Sequence, residues 1–145
     1  MTMRVSLLHG PNLDLLGKRN PAIYGTQTLD ELVAEVVSYG DSQGLEVVPF
    51  QSNEEGALVE AIHEAGRTCQ AVVINPGGFS HTSVAIRDAL EAIGLPVYEV
   101  HLSNIHAREG FRRKSITAEA STACLSGMGS QGYLSALDGI VKGVS

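Results

Sequence analysis

Ala71-Val72-Val73-Ile74-Asn75-Pro76-Gly77-Gly78 is the stretch on which the fold turns. Its first four residues are apolar without alternation, the pattern of a strand covered on both faces. The Asn-Pro-Gly-Gly that follows stops the strand with turn residues. Thr82 or Ser83 can cap the next helix, whose core face is Ile86, Ala89, Leu90 and Ile93. The same unit recurs in both directions. Upstream, Leu58, Ala61, Ile62 and Ala65 share a helix face behind a capping-box pattern at Ser52-Asn53-Glu54-Glu55. Val47-Val48-Pro49-Phe50 is a strand whose proline places it at a sheet edge. Leu29, Leu32, Val33 and Val36 recur at helical spacing with Thr28 as N-cap, and Val5-Ser6-Leu7-Leu8 is a short buried strand. Downstream, Pro96 to His101 is a fourth strand, Ala123 to Ser126 a weaker fifth, and Leu134, Leu137 and Val141 are the inner face of a last helix.

Alternation of this kind implies an α/β fold: a flavodoxin-like, five-stranded parallel sheet with helices on both faces, one domain over residues 1–145. Right-handed crossovers put every strand-to-helix loop at the carboxyl edge of the sheet, where ligands of such sheets bind.

Composition removes several function classes. Ten basic residues against sixteen acidic ones give a net charge of −6, which disfavours a general polyanion binder. Aromatics are 5% and Trp is absent, so no base-stacking platform is expected and no nucleic-acid partner. No apolar run approaches the roughly 18 residues of a membrane span, and Met1 to Leu8 is too short for a signal segment. Cys69 and Cys124 lie far apart with no ligand spacing. They read as two buried free thiols in a reducing cytoplasm rather than as a metal site.

Three segments collect the chemistry, and each follows a strand. His9 to Gly25 is far longer than the usual loop of about 2–6 residues, and it carries Asn12, Lys18, Arg19 and Tyr24. Asn75 to Ser83 has the adjacent glycines that let a backbone approach a ligand. In Glu99 to Arg112, Glu99 and His101 are two apart on a strand and share a face. A carboxylate there fixes the imidazole tautomer and suits it to general acid work. Ser103 could cap a short helix just beyond. The segments contain no GxGxxG, no P-loop lysine, no GxSxG and no paired acids of a phosphorelay receiver.

Gly10-Pro11-Asn12-Leu13, Leu16-Gly17-Lys18-Arg19, Ile23-Tyr24-Gly25, Asn75-Pro76-Gly77-Gly78, His81-Thr82-Ser83-Val84-Ala85, Glu99-Val100-His101-Leu102-Ser103-Asn104 and His106-Ala107-Arg108-Glu109, with Arg112 beyond, resemble in order and spacing the type II 3-dehydroquinate dehydratases. The resemblance spans essentially the whole chain. It implies cofactor-free, reversible dehydration of 3-dehydroquinate to 3-dehydroshikimate in the shikimate pathway, by a homododecamer built from trimers. It also implies roles. Tyr24 is the base that takes the C2 proton, with Arg19 against it. Asn12 helps hold the enolate through a water, and His101 protonates the departing C1 hydroxyl. Asn75, His81 and Arg112, beside Gly78, hold the substrate's ring and hydroxyls, and the backbone of Leu102 and Ser103 takes its carboxylate. The physics is consistent with this. A free phenol ionises about three pH units above neutrality, so making it a base there needs roughly 4 kcal/mol. Two guanidiniums, Arg19 and Arg108, are of the right size to supply it.

Asp88 faces away from its own helix's core, and the resemblance implies that it reaches a neighbouring subunit's pocket. The chain departs from the family pattern at Asn20, where a Glu is usual, and at His9 and Asp14, where Asn is common. His9 reads as structural and His63 as a helix-surface residue. His106 is balanced between shaping the pocket and capping the short helix. The alternative function is a non-enzymatic flavodoxin-like module for FMN or a nucleotide, which leaves the Tyr24 loop and the Glu99/His101 pair without a role.

Overall fold

The computed structural model of the chain describes residues 2–18 and 20–144, with residues 23 and 24 given by their backbone alone. The strands are β1 (Met3–His9), β2 (Leu45–Gln51), β3 (Ala71–Asn75), β4 (Val97–His101) and β5 (Ala123–Ser126). The helices are α1 (Pro21–Tyr24), α2 (Leu29–Ser42), α3 (Glu55–Thr68), α4 (Phe79–Thr82), α5 (Val84–Ile93) and α6 (Gln131–Lys142). All the pairings are parallel, in the order β2-β1-β3-β4-β5. Pro49 does lie on an edge strand, where its missing N–H costs no ladder bond.

Successive strand residues feed two separate cores. Val5, Leu7, Val73 and Val100 pack with Leu32, Val36 and Leu137 of α2 and α6. Leu8, Val72, Ile74 and Val97 pack with Leu58, Ile62, Ile86 and Leu90 of α3 and α5. Both faces of the central strands are thus sealed, which is why they read as continuous apolar runs. The crossovers leave β1 towards β2 on one side and β3 towards β4 on the other. The loops after β1 and β3 therefore diverge and leave a crevice between them.

Three expectations change. The inner face of α6 is Tyr133, Ala136, Leu137 and Ile140, while Leu134 is half-buried and Val141 is 48% exposed. Two apolar stripes overlap there, and the tyrosine stripe wins because its ring fills the core and its hydroxyl finds partners. Cys69 is buried but Cys124, on the edge strand β5, is exposed. The capping box forms at α2, where Thr28 Oγ1 accepts from the Glu31 N–H at 3.1 Å and Glu31 Oε1 accepts from the Thr28 N–H at 2.9 Å. At α3 the N-cap is Glu54 with no side-chain cap. Ser52 Oγ accepts from the Glu54 N–H, and Asn53 turns to a loop described below.

Candidate active site

The cleft begins where two loops cross backbone to backbone. The Gly10 N–H donates to the Asn75 carbonyl at 2.8 Å. A Cβ on Gly10 would stand 2.2 Å from the Pro76 oxygen, and one on Gly77, at φ +61°, would stand 2.9 Å from the Pro11 oxygen. Only glycine permits both the closeness and the left-handed turn. The crossing throws Asn12 into the left-handed region at φ 71°, the one non-glycine there among the described residues. Asparagine tolerates that region better than most residues. Asn53 Oδ1 accepts from the Asn12 N–H at 2.9 Å, and this pins the loop and explains why Asn53 is not a helix cap.

The opposite wall is the end of β4. Glu99 is fully buried and His101 nearly so, with His101 Nε2 2.7 Å from Glu99 Oε2. Ser115 Oγ donates to Glu99 Oε2 and Thr117 Oγ1 to Oε1, each at 2.5 Å. Three partners fix the buried carboxylate in place, and it holds the imidazole by Nε2, with Nδ1 left for the cleft. Neither Ser115 nor Thr117 was visible as a site residue in the sequence. No spacing signal ties them to Glu99.

Beyond His101, the Leu102 and Ser103 amides have no acceptor among the described residues. Two successive free N–H groups at a sheet edge make an anion-binding concavity. The cap of the following 3-10 turn (Ile105–Ala107) is Asn104, whose Oδ1 accepts from the His106 N–H. Ser103 instead accepts from the Arg108 guanidinium. His106 is exposed, does not cap the turn and does not line the cleft. His81 is held by its Nδ1 against the Lys114 carbonyl at 2.7 Å. Arg112 pairs with Glu109 at 2.5 Å and lies over the Phe111 ring.

Asn12, Asn75, Gly78, His81, His101, Leu102, Ser103, Arg108 and Arg112 therefore all line one open cavity of about 120 Å³. Asp88 is exposed on α5 and does not line this cavity. Arg19 and the Tyr24 side chain lie outside the described residues. The backbone that carries Tyr24 is α1, with Asn20 as N-cap accepting from the Ala22 N–H at 3.1 Å and Pro21 in its first turn.

Among the described residues, Glu99, His101 and Cys124 bring ligand atoms within 4.8 Å of one another and are the trio that could hold a metal. Their chemistry fits poorly. Glu99 is already filled by three donors, and although Cys124 is exposed as a residue, its thiol faces inward, 4.0 Å from Glu99 Oε2, where desolvation and the Glu99 charge push it up to about 11, so it keeps its proton near neutrality. A second polar group sits behind the cleft. His9 Nε2 is 2.9 Å from Tyr133 Oη, and Asn75 Nδ2 donates to the same oxygen at 3.1 Å. His9 is buried and does not line the cleft, and Tyr133 was missed, since a helix tyrosine carries no signal of its partners.

A family model described as dehydroquinase class II matches residues 3–141. The chain is 50% identical over 141 residues to a 3-dehydroquinate dehydratase of Ruegeria pomeroyi, covering 97% of this chain and 95% of that one. It is 47% identical to a catabolic 3-dehydroquinase of Verticillium alfalfae, over 95% and 92% of the two chains. The crystal structure of a type II dehydroquinase from Propionibacterium acnes superposes with a TM-score of 0.94 at 42% identity, over 98% of both chains.

Proposed function

This chain belongs to the dehydroquinase class II family, and from that premise we propose that it removes water from 3-dehydroquinate to give 3-dehydroshikimate, as one catalytic unit over its whole length. The observation that carries the reading is the buried Glu99–His101 pair, which opens on a cleft beside two free amides.

The substrate's carboxylate sits on the Leu102 and Ser103 N–H groups, which places C1 and its hydroxyl near His101. Tyr24, as phenolate, takes the C2 proton. The electron pair moves onto the C3 ketone oxygen as an enolate, which Asn12 stabilises through a water. The enolate collapses, the C1–O bond breaks, and His101 Nδ1 gives the leaving hydroxide a proton, so that water departs. Glu99 neutralises the imidazole ring while it carries two protons. The reaction abstracts a proton beside a ketone and expels a β-hydroxyl, and acid–base groups suffice for both steps.

Arg19 and Arg108 favour the phenolate form of Tyr24. Asn75, His81 and Arg112, at the Gly78 turn, hold the ring hydroxyls. The assembly we propose is a dodecamer of trimers in which Asp88, exposed here, completes a neighbour's pocket. The conjugated enone of the product absorbs in the ultraviolet, so mixing protein with 3-dehydroquinate gives the direct test. The wild type should generate the absorbance and Tyr24→Phe should not. A folded Tyr24→Phe that turns over at the normal rate removes Tyr24 as the base.

A further inference from the structure

On the α6 face of the sheet, one layer behind the cleft, His9 and Asn75 stand side by side in register at the ends of β1 and β3. Tyr133, fully buried in the first turn of α6, lies over both, with its ring 5.4 Å from the His9 ring and stacked on it. An apolar pair would fill this space without desolvating two polar groups. The reaction above uses neither His9 nor Tyr133.

Counting protons gives the set a direction. Asn75 Oδ1 accepts from the Gly77 N–H at 3.1 Å, so the amide nitrogen faces Tyr133. A nitrogen of that kind only donates. The Tyr133 oxygen therefore accepts from Asn75, and its single proton goes to His9 Nε2. His9 must then be neutral and protonated on Nδ1. Were His9 the donor, the Tyr133 oxygen would accept from both neighbours and its own proton would face no acceptor in the dry interior.

We propose that Tyr133 and His9 are positioning residues, whose directed hydrogen bonds lock the Asn75 amide in the one orientation that serves the substrate and holds the Gly77–Gly78 turn. This rests on the reading of Asn75 as a substrate contact. Neither positioning residue touches the substrate. A binding group held equally in ground and transition states acts on KM.

The test is steady-state kinetics and thermal melting of Asn75→Ala, Tyr133→Phe, His9→Gln and the double variant His9→Leu with Tyr133→Phe. Tyr133→Phe should raise KM about five-fold, the worth of one neutral hydrogen bond, and should lower the melting temperature. His9→Gln keeps an acceptor and should hold KM near wild type. The double variant removes the stranded His9 nitrogen and leaves only Asn75 Nδ2 without its acceptor, so its melting temperature should recover part of the loss while KM stays raised. A purely structural role would restore both. Wild-type KM in the double variant, with Asn75→Ala impaired, overturns the proposal alone, even if Tyr133→Phe by itself fails to fold. Wild-type kinetics in Asn75→Ala overturns the site reading and the proposal with it.

Discussion

Replacing His9 with a side chain that accepts a hydrogen bond but does not titrate should flatten the acid side of the stability profile. Burial of His9, which is 1% exposed, lowers its pKa from 6.5 to about 4. Above pH 6.5 neither the folded nor the unfolded chain protonates this ring, and the neutral His9 contribution is fully present. As pH falls, the unfolded state takes up a proton that the folded state refuses, so stability is lost progressively down to about pH 4. At about 1.4 kcal/mol per pH unit, that gap is worth about 3 kcal/mol, a large part of a typical 5–15 kcal/mol total. Urea unfolding of wild type and His9→Gln at several values between about pH 7 and 4.5 measures it. Carboxylates and exposed histidines titrate alike in both proteins and cancel in the difference. The advantage of wild type over variant should shrink by about 1.4 kcal/mol per pH unit below about 6. Parallel profiles would refute the account of His9 as a buried neutral acceptor.

Three further outcomes are expected. Glu99→Gln exchanges a charge-assisted contact to His101 for a neutral one, so kcat/KM should fall roughly tenfold. The same change should lower the melting temperature, because the new amide NH₂ meets groups that donated to a carboxylate oxygen, and enone absorbance with a thermal melt reads both. Gly10→Ala drives a Cβ into the Pro76 carbonyl, so the loops must part; turnover and thermal stability should drop together in a variant that differs by one methyl. Asp88→Ala alone and Tyr24→Phe alone should each be impaired, and mixing the two as refolded oligomers should recover activity above either parent, since one pocket in the mixture receives both intact groups.

The cleft was largely legible in the sequence because its frame is local. Glu99 and His101 share a face through the two-residue period of a strand, whereas the crossing at Gly10 and Gly77 joins loops far apart in the chain and was not read from it. The α6 face was misread because Leu134, Leu137 and Val141 form as good a stripe as Tyr133, Ala136, Leu137 and Ile140. Periodicity alone does not weigh a ring against an isopropyl group. The capping box at Ser52 was misread for a related reason: a capping pattern says what a side chain can accept, not which N–H reaches it first, and Ser52 Oγ is taken by the Glu54 N–H.

The apolar runs and their Gly and Pro stops determined, by themselves, a parallel sheet and the edge at which its chemistry collects, because strand period and turn chemistry are properties of neighbouring residues. Tertiary structure alone decided the partners. Tyr133 meets Asn75 across 58 positions of sequence and His9 across 124, and Glu99 gathers hydroxyls from 16 and 18 residues away. The role of a polar side chain is set by the donor or acceptor that faces it in the dry interior, and folding brings that group from elsewhere in the chain.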